Sequence, residues 1–324
     1  MRLHLAARPV ALASSALVTA LLAGCGGGSS GGGGAASTTA PTTSGSVAPQ
    51  TSAPAAPVPT SVAPAAPVLA SGTLKVLAYN VAGLPAWFSA SDPVRNIPQI
   101  SPKLNAYDLA LCQEDFWYQG ELARQALHPF RSTPLTGYST LVGDGLTRFS
   151  RAPFVGTLAR VKWTDLHGVT GHANDALSSK GFSFARHELA PGVEVDVYNV
   201  HADAGSDQGD IAARAKNFEQ LARYALHFSA GRALIVAGDT NLNGQQRPQD
   251  ETILVDFMGR LGLTDAARAL GGAESIDRVL LRSGQGVDLT PVLWRFADEF
   301  KDAAGGDLSD HLAVHVDVAW QQVP

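Results

Sequence analysis

The stretch Ala233-Leu234-Ile235-Val236-Ala237-Gly238-Asp239-Thr240-Asn241 constrains this chain more than any other. Its five apolar residues in a row read as a buried strand, of the kind found in sheets covered on both faces. Gly238 then lets the backbone turn without a Cβ clash. Asp239 and Asn241 follow two residues apart, and in extended chain such positions point the same way. One carboxylate and one carboxamide thus leave the end of a sheet together. A carboxylate can orient water or help hold a hard cation, and a carboxamide can donate N–H bonds to an anionic oxygen. Asp-Thr-Asn is also good turn chemistry, so a turn and a site both remain open on this stretch alone.

Polar residues appear at the ends of other expected strands. Leu74–Val81 reads as a strand with Asn80 near its end, as a turn-former or a ligand. Asp108–Cys112 is a second apolar strand, running into Gln113-Glu114-Asp115 and the aromatics Phe116, Trp117 and Tyr118. Glu114 could serve a site, or the acidic pair could cap a helix expected over about Gln119–Leu127. A short helix is expected over Ile97–Ala106, and Gly143–Pro153 suggests a turn and a strand pair. Ser179–Ala185 precedes Val193–Val200, whose alternation marks a half-buried strand. That strand places Asn199 and His201 on one side, with His201 either a proton shuttle or a surface histidine. Asp210–Phe228 carries an apolar stripe at helical spacing, and a further helix is expected over about Asp250–Leu261. Ser275–Leu281 reads as a strand with Asp277 on its otherwise apolar body. Ser309-Asp310-His311 precedes the alternating Leu312–Val318, whose polar phase predicts His315 and Asp317 to face solvent.

The N-terminal quarter has a different character. Arg2 and Arg8 precede an apolar stretch ending Leu21-Leu22-Ala23-Gly24-Cys25, the layout of a secretory signal. Leu22-Ala23-Gly24-Cys25 resembles the bacterial lipobox, which implies cleavage before Cys25 and lipidation of its thiol; a plain secretory signal is the other reading. Residues 26–72, made of Gly, Ser, Ala, Thr and Pro almost throughout and without charge, cannot bury enough apolar surface to offset their ordering entropy, so a disordered tether is expected. Residues 73–324 have ordinary globular composition, with no linker dividing them and no internal repeat, so one domain is expected.

Charge narrows the partners. Of 24 basic residues only Arg2 and Arg8 precede Thr73, and none of the 29 acidic ones do, so the domain carries 22 against 29, a net charge of −7. Sequence-independent DNA binding neutralises phosphates with Lys and Arg, and this balance argues against it. Cys25 and Cys112 are the only cysteines; Cys112, in Leu109-Ala110-Leu111-Cys112, reads as a small core residue.

Six strings in order, Tyr79-Asn80-Val81, Gln113-Glu114, Asn199-Val200-His201, Gly238-Asp239-Thr240-Asn241, Ile276-Asp277 and Ser309-Asp310-His311, resemble the endonuclease/exonuclease/phosphatase superfamily. The resemblance spans about Leu74–Val318. It implies a DNase I-like four-layer α/β/β/α sandwich of two mixed β-sheets flanked by helices. It also implies the site. Glu114 would be the main ligand of a divalent cation, Mg²⁺ with Mn²⁺ as an alternative, beside Asn80 and Asp310. Asp239 and Asn241 would orient water and hold the phosphate. His311, oriented by Asp277, would transfer a proton, and His201 would act from the other side. Asn80–Pro85 and Asp175 through Lys180-Gly181 look most like the neutral sphingomyelinase branch, although Ala82 and His201-Ala202-Asp203 depart from it. Lys180 is open between a phosphate contact and a surface lysine before a glycine turn. The implied protein is a monomeric phosphodiester hydrolase held to the bacterial envelope by its N-terminal lipid, acting on phospholipid. A nuclease or phosphatase of the same fold, and a non-catalytic surface binding protein, are the alternatives.

Overall fold

In the strands beneath the site, the inward and outward phases pack into two different cores. In β1 (Ser71–Asn80), Leu74, Val76 and Ala78 enter one cluster, whereas Leu77 and Tyr79 enter another. In β8 (Leu234–Asp239), Ile235 and Ala237 join the first cluster while Leu234 and Val236 join a third. Burial on both faces explains the unbroken apolar runs at 76–79 and 234–237. The computed structural model describes residues 69–324, apart from 88, 90, 136–142, 169–174, 176 and 177. Cys25 and nearly all of the expected tether lie outside the described residues.

Chain order supplies the remaining elements. After β1 come α1 (Pro93–Lys103), β2 (Leu109–Gln113), α2 (Gln119–Ala123), β3 (Phe130–Arg131), β4 (Thr147–Ser150), β5 (Phe154–Lys162), β6 (Gly181–Ala190) and β7 (Val193–His201). Then follow α3 (Gln208–Phe228), β8, α4 (Pro248–Leu261), β9 (Thr264–Asp265), α5 (Ala266–Leu270), β10 (Asp277–Arg282), β11 (Val287–Phe296) and β12 (Val314–Gln322). Among the described residues the strands form two six-stranded sheets, ordered β11-β12-β1-β2-β4-β3 and β5-β6-β7-β8-β10-β9. Both are mixed: β1 and β2 run parallel in the first, β7 and β8 in the second, and their other neighbours run antiparallel.

The layers follow from the cores. Val76, Leu111, Val195, Val197, Ile235, Val279 and Val316 fill the space between the sheets. Ile97, Ile100 and Leu122 bring α1 and α2 onto the outer face of the first sheet. Phe218, Leu221, Leu254 and Phe257 bring α3 and α4 onto the outer face of the second. The result is the expected four-layer α/β/β/α sandwich, with both sheets mixed and helices outside.

Local chemistry sets the helix ends. Asp92 caps α1 through Oδ1, which accepts from Arg95 N at 3.3 Å, and Pro93 takes the first turn, where a missing N–H costs nothing. That start lies four residues before the one expected at Ile97, and the helix runs through Pro98. Asp207 and Asp210 form a reciprocal capping box on α3. β1 begins at Ser71 and takes in two residues expected to be tether. Among the described residues no helix is long and apolar enough to cross a membrane.

His315 corrects the reading of the last strand. It is 6% exposed, not solvent-facing, and Nε2 lies 2.8 Å from Asp317 Oδ1. The alternation was real, but the outer face of this sheet is covered: Tyr107 stands edge-on to the imidazole at 5.0 Å.

Candidate active site at the sheet ends

Follow the inward phase of each central strand and it turns polar at one end of the sandwich. Leu74, Val76 and Ala78 lead to Asn80; Leu109 and Leu111 lead to Gln113; Val193, Val195 and Val197 lead to Asn199 and His201; Ile235 and Ala237 lead to Asp239. Asp277 opens β10 directly opposite Asp239 in the register, because β10 runs antiparallel to β8. It therefore sits at the start of its strand, not on the apolar body.

Hydrogen bonds tie the two sheets together here. Asn80 Nδ2 donates to Glu114 Oε1 at 3.0 Å and to Asp239 Oδ2 at 3.1 Å, and lies 3.4 Å from His311 Nε2. Asn80 Oδ1 accepts from Ala82 N at 3.0 Å. Asn80 thus holds the two carboxylates through its N–H bonds and does not turn its oxygen to them, which differs from the ligand role expected of it. His311 Nδ1 lies 2.8 Å from Asp277 Oδ2, leaving Nε2 directed at Asp239 Oδ2, 3.9 Å away. His201 Nε2 lies 3.5 Å from Asp239 Oδ2 and 3.7 Å from Glu114 Oε1. The Asp239 carboxylate thus stands between two imidazoles.

Backbone strain gathers at the same place. Among the described residues four non-glycines have positive φ, and three of them, Ala82, Glu114 and Asn241, adjoin this cluster. Each such conformation costs about 1–3 kcal/mol and persists only where its surroundings enforce it. Gly238, at φ 136°, needs its lack of a side chain, since a Cβ would fall 2.2 Å from Val200 O. Asn241 departs from the extended pairing expected with Asp239. Its φ is 52°, its N–H donates to Asp239 Oδ1 at 3.0 Å, and its Nδ2 donates to Ala202 O at 3.2 Å. The turn reading was correct for the backbone, and the turn keeps Asn241 beside the Asp239 carboxylate.

Burial and charge set the protonation states. Burial raises the Glu114 and Asp239 carboxyls above the usual carboxylate range, with Lys180 opposing at Glu114 and His311 opposing at Asp239. Burial would lower His311, but the Asp277 and Asp239 carboxylates outweigh it and raise the imidazole to about 10. His201 goes the other way, pushed well below the usual histidine value by burial, then by the charges of Lys180 and His311. Lys180 is buried and ion-paired to Asp175; burial would lower its ammonium, but Asp175 and Glu114 outweigh that and raise it. It is not a surface lysine.

The donor set suits a hard cation. Ligand atoms of Glu114, His201 and Asp239 lie within 4.8 Å of one another. Both His201 ring nitrogens are buried without a hydrogen-bond partner, and an occupant between the three groups would satisfy Nε2, the one that faces Glu114 and Asp239. Asp310 is the predicted residue that stays apart: it is exposed, with its carboxylate accepting from Ser309 Oγ at 3.4 Å, and belongs to none of the ligand clusters found among the described residues. Two buried residues carried no role in the sequence reading. Gln113 and Asn199 lie inside matched strings, and their place next to Glu114 and His201 was the available signal.

No protein-family model matches the chain. It is 33% identical over 265 residues to the sphingomyelinase of Mycobacterium bovis, an alignment covering 74% of this chain and 51% of that one. The chain therefore spans about half the length of the curated relatives it matches. Among solved structures, sphingomyelinase C from Streptomyces griseocarneus superposes with a TM-score of 0.58 at 20% identity, covering 76% of this chain and 99% of that one. A double mutant of beta toxin from Staphylococcus aureus with bound magnesium ions superposes at 0.56 with 14% identity, covering 78% and 100%. The chain has the fold of the endonuclease/exonuclease/phosphatase superfamily. That fold accounts for the two mixed sheets and for polar residues gathered at one end of both, and the sequence likeness is to sphingomyelinases.

Proposed function

We propose that this chain is a divalent-metal-dependent phosphodiesterase that cleaves sphingomyelin-like phospholipids on the headgroup side, as a phospholipase C does. The observation that carries the reading is the meeting of Glu114, His201, Asp239, Asp277 and His311 from two sheets at one end of the sandwich. The sphingomyelinase names of its sequence relatives, and the magnesium in the staphylococcal toxin, support the substrate and Mg²⁺.

Glu114 and Asp239, with His201 beside them, would hold the cation, which when bound supplies electrostatic stabilisation of the charge that gathers on phosphate oxygens. Hydrolysis forms one P–O bond from water and breaks the P–O bond to the lipid, so water loses a proton and the leaving oxygen gains one. Asp239 is placed to orient the water. His311 exchanges a proton at Nε2, because Asp277 holds its Nδ1 and sets the ring's orientation. His201 faces the same carboxylate from the other side, and Lys180 brings a buried positive charge to the anionic substrate. Asn241 stays near the phosphate through its turn. The protein would be exported and lipid-anchored at Cys25, in keeping with its lipobox-like string.

The test sets sphingomyelin, phosphatidylcholine, supercoiled DNA and an aryl phosphodiester side by side with Mg²⁺, with EDTA and His311→Ala as controls. Release of a phosphorylated headgroup, lost in both controls, is expected. Nicking of DNA without lipid turnover would move the chain to a nuclease role, and no turnover of any of the four by folded protein would refute the proposal.

A further inference from the structure

Glu114 and His201 have close neighbours in sequence, two carboxamides, that the chemistry above does not use. Gln113 ends β2 immediately before Glu114, and Asn199 lies two residues before His201 in β7; both are fully buried. Each continues an inward phase whose preceding members, Leu109 and Leu111 or Val195 and Val197, are apolar. Gln113 Nε2 donates to Asn199 Oδ1 at 2.6 Å and to Leu111 O at 3.0 Å. Asn199 Nδ2 donates to Cys112 O at 3.0 Å and to Thr147 O at 3.2 Å. Since Cys112 and Thr147 lie in β2 and β4, three of these four bonds cross from one sheet to the other at a single level.

Such a bridge is a poor way to stabilise a core. An apolar pair of similar volume would fill the space without desolvating amides, and Gln113 Oε1 is left buried without a partner. What hydrogen bonds add is direction: they hold a separation and an angle, whereas apolar side chains pack without that specificity. The lack of a side chain at Gly238 serves the bridge as well, because a Cβ there would fall 2.9 Å from Gln113 Nε2.

We infer that Gln113 and Asn199 are positioning residues. Their bridge sets the separation between the sheet that carries Asn80 and Glu114 and the sheet that carries His201 and Asp239. The inference rests on the reading of that cluster as a hydrolytic centre. A metal-binding group assembled from two sheets needs such a tie, because a small slide between the layers would part Glu114 from Asp239 and His201.

The full chain is compared with Gln113→Met, which keeps the volume and removes the N–H donors, and with Val195→Ala, which opens the same inter-sheet core away from the site. Three quantities are measured: unfolding midpoint, Mg²⁺ affinity by calorimetry without substrate, and kcat and KM for headgroup release. Gln113→Met is expected to stay folded while Mg²⁺ affinity and kcat each fall by about 10–100-fold, the range seen when groups supporting metal ligands are lost, with KM changed by less than about threefold. Val195→Ala is expected to lower the midpoint at least as much and to leave Mg²⁺ affinity and kcat nearly unchanged. Should Gln113→Met not fold, Gln113→Asn, whose amide is one methylene short, is judged by the same measurements. If the folded Gln113 variant lowers only the midpoint, as Val195→Ala does, the bridge is core packing and the inference is overturned. Loss of Mg²⁺ affinity in a chain that hydrolyses no phosphodiester would uphold the bridge and overturn the hydrolase reading.

Discussion

Asp277 and His311 are 34 residues apart in sequence and 2.8 Å apart in space, and the consequences of that contact are directly measurable. His311→Ala removes the group proposed to exchange a proton, so kcat should fall by about 10²–10⁴-fold with the fold intact, the usual size of a general acid–base contribution. Asp277→Asn keeps a partner at Nδ1 but removes the charge that raises the imidazole, so the pH–rate profile should shift as well as the rate. An unchanged profile would mean that Asp277 only packs against the ring. At this scale much of the site was legible. Asn80, Glu114, His201 and Asp239 each stand at or just beyond a strand end, where a polar residue after an apolar run stands out, and His311 lies in the loop just before β12. Asp310 misled because adjacency in sequence says nothing about which side a loop residue takes: His311 turns in to Asp239 and Asp310 turns out to solvent. Asn241 meets Asp239 through its backbone N–H in a left-handed turn, while its carboxamide donates to Ala202 O, so the side chains do not leave an extended chain together as expected.

Among the elements, β4 and β6 meet across the sandwich through a buried polar group that gives the fold a pH limit. Arg148 Nη1 donates to His187 Nε2 at 2.9 Å, which leaves Nδ1–H to donate to Ser150 Oγ at 3.1 Å. Burial, then the Arg148 charge, pushes His187 well below the usual histidine value. In the unfolded chain this histidine binds a proton below about pH 6.5, and in the folded protein it resists doing so. Its contribution is therefore fully present above about pH 6.5 and is lost as the pH falls toward the folded value, at about 1.4 kcal/mol per pH unit for one such group. Urea unfolding from pH 7.5 to 5 should show stability falling with acid, with a shallower slope in His187→Gln. An identical slope in the variant would contradict this placement of the proton. Nothing local in the sequence announced the contact. Arg148 and His187 lie in strands of different sheets, and the alternation that locates a strand does not say which strand faces it. The same limit explains His315, whose phase was legible while the cover supplied by Tyr107 was not. The short β3 and β9, two residues each, have no pattern to detect, whereas α3 carried a long apolar stripe and was found to within two residues.

Taken whole, the domain has one functional pole. β1 runs from Ser71, where the chain leaves the expected tether, to Asn80 at the site. Ten strand residues span about 33 Å, so the tether joins the first sheet far from the cluster. The proposed lipid on Cys25 would serve to hold the protein at a membrane. Cys25→Ser should move the protein from the membrane fraction to the soluble fraction and leave kcat on added vesicles unchanged. Persistence in the membrane fraction would count against the lipobox reading. The layered architecture was foreseeable from apolar strands alternating with helices, but that alternation fits several α/β folds. Six short strings in order, and not composition, pointed to this one.

The most direct test of the central claim, that the sheet ends form one metal-dependent hydrolytic centre, is a Mg²⁺ titration of headgroup release from sphingomyelin vesicles by the wild-type chain and Glu114→Gln. Glu114→Gln nearly preserves shape while removing a charge beside His201 and Asp239. The variant is expected to fold and its titration to move to at least about tenfold higher Mg²⁺, with a lower plateau rate. A variant that follows the wild-type titration at the wild-type rate would contradict that claim.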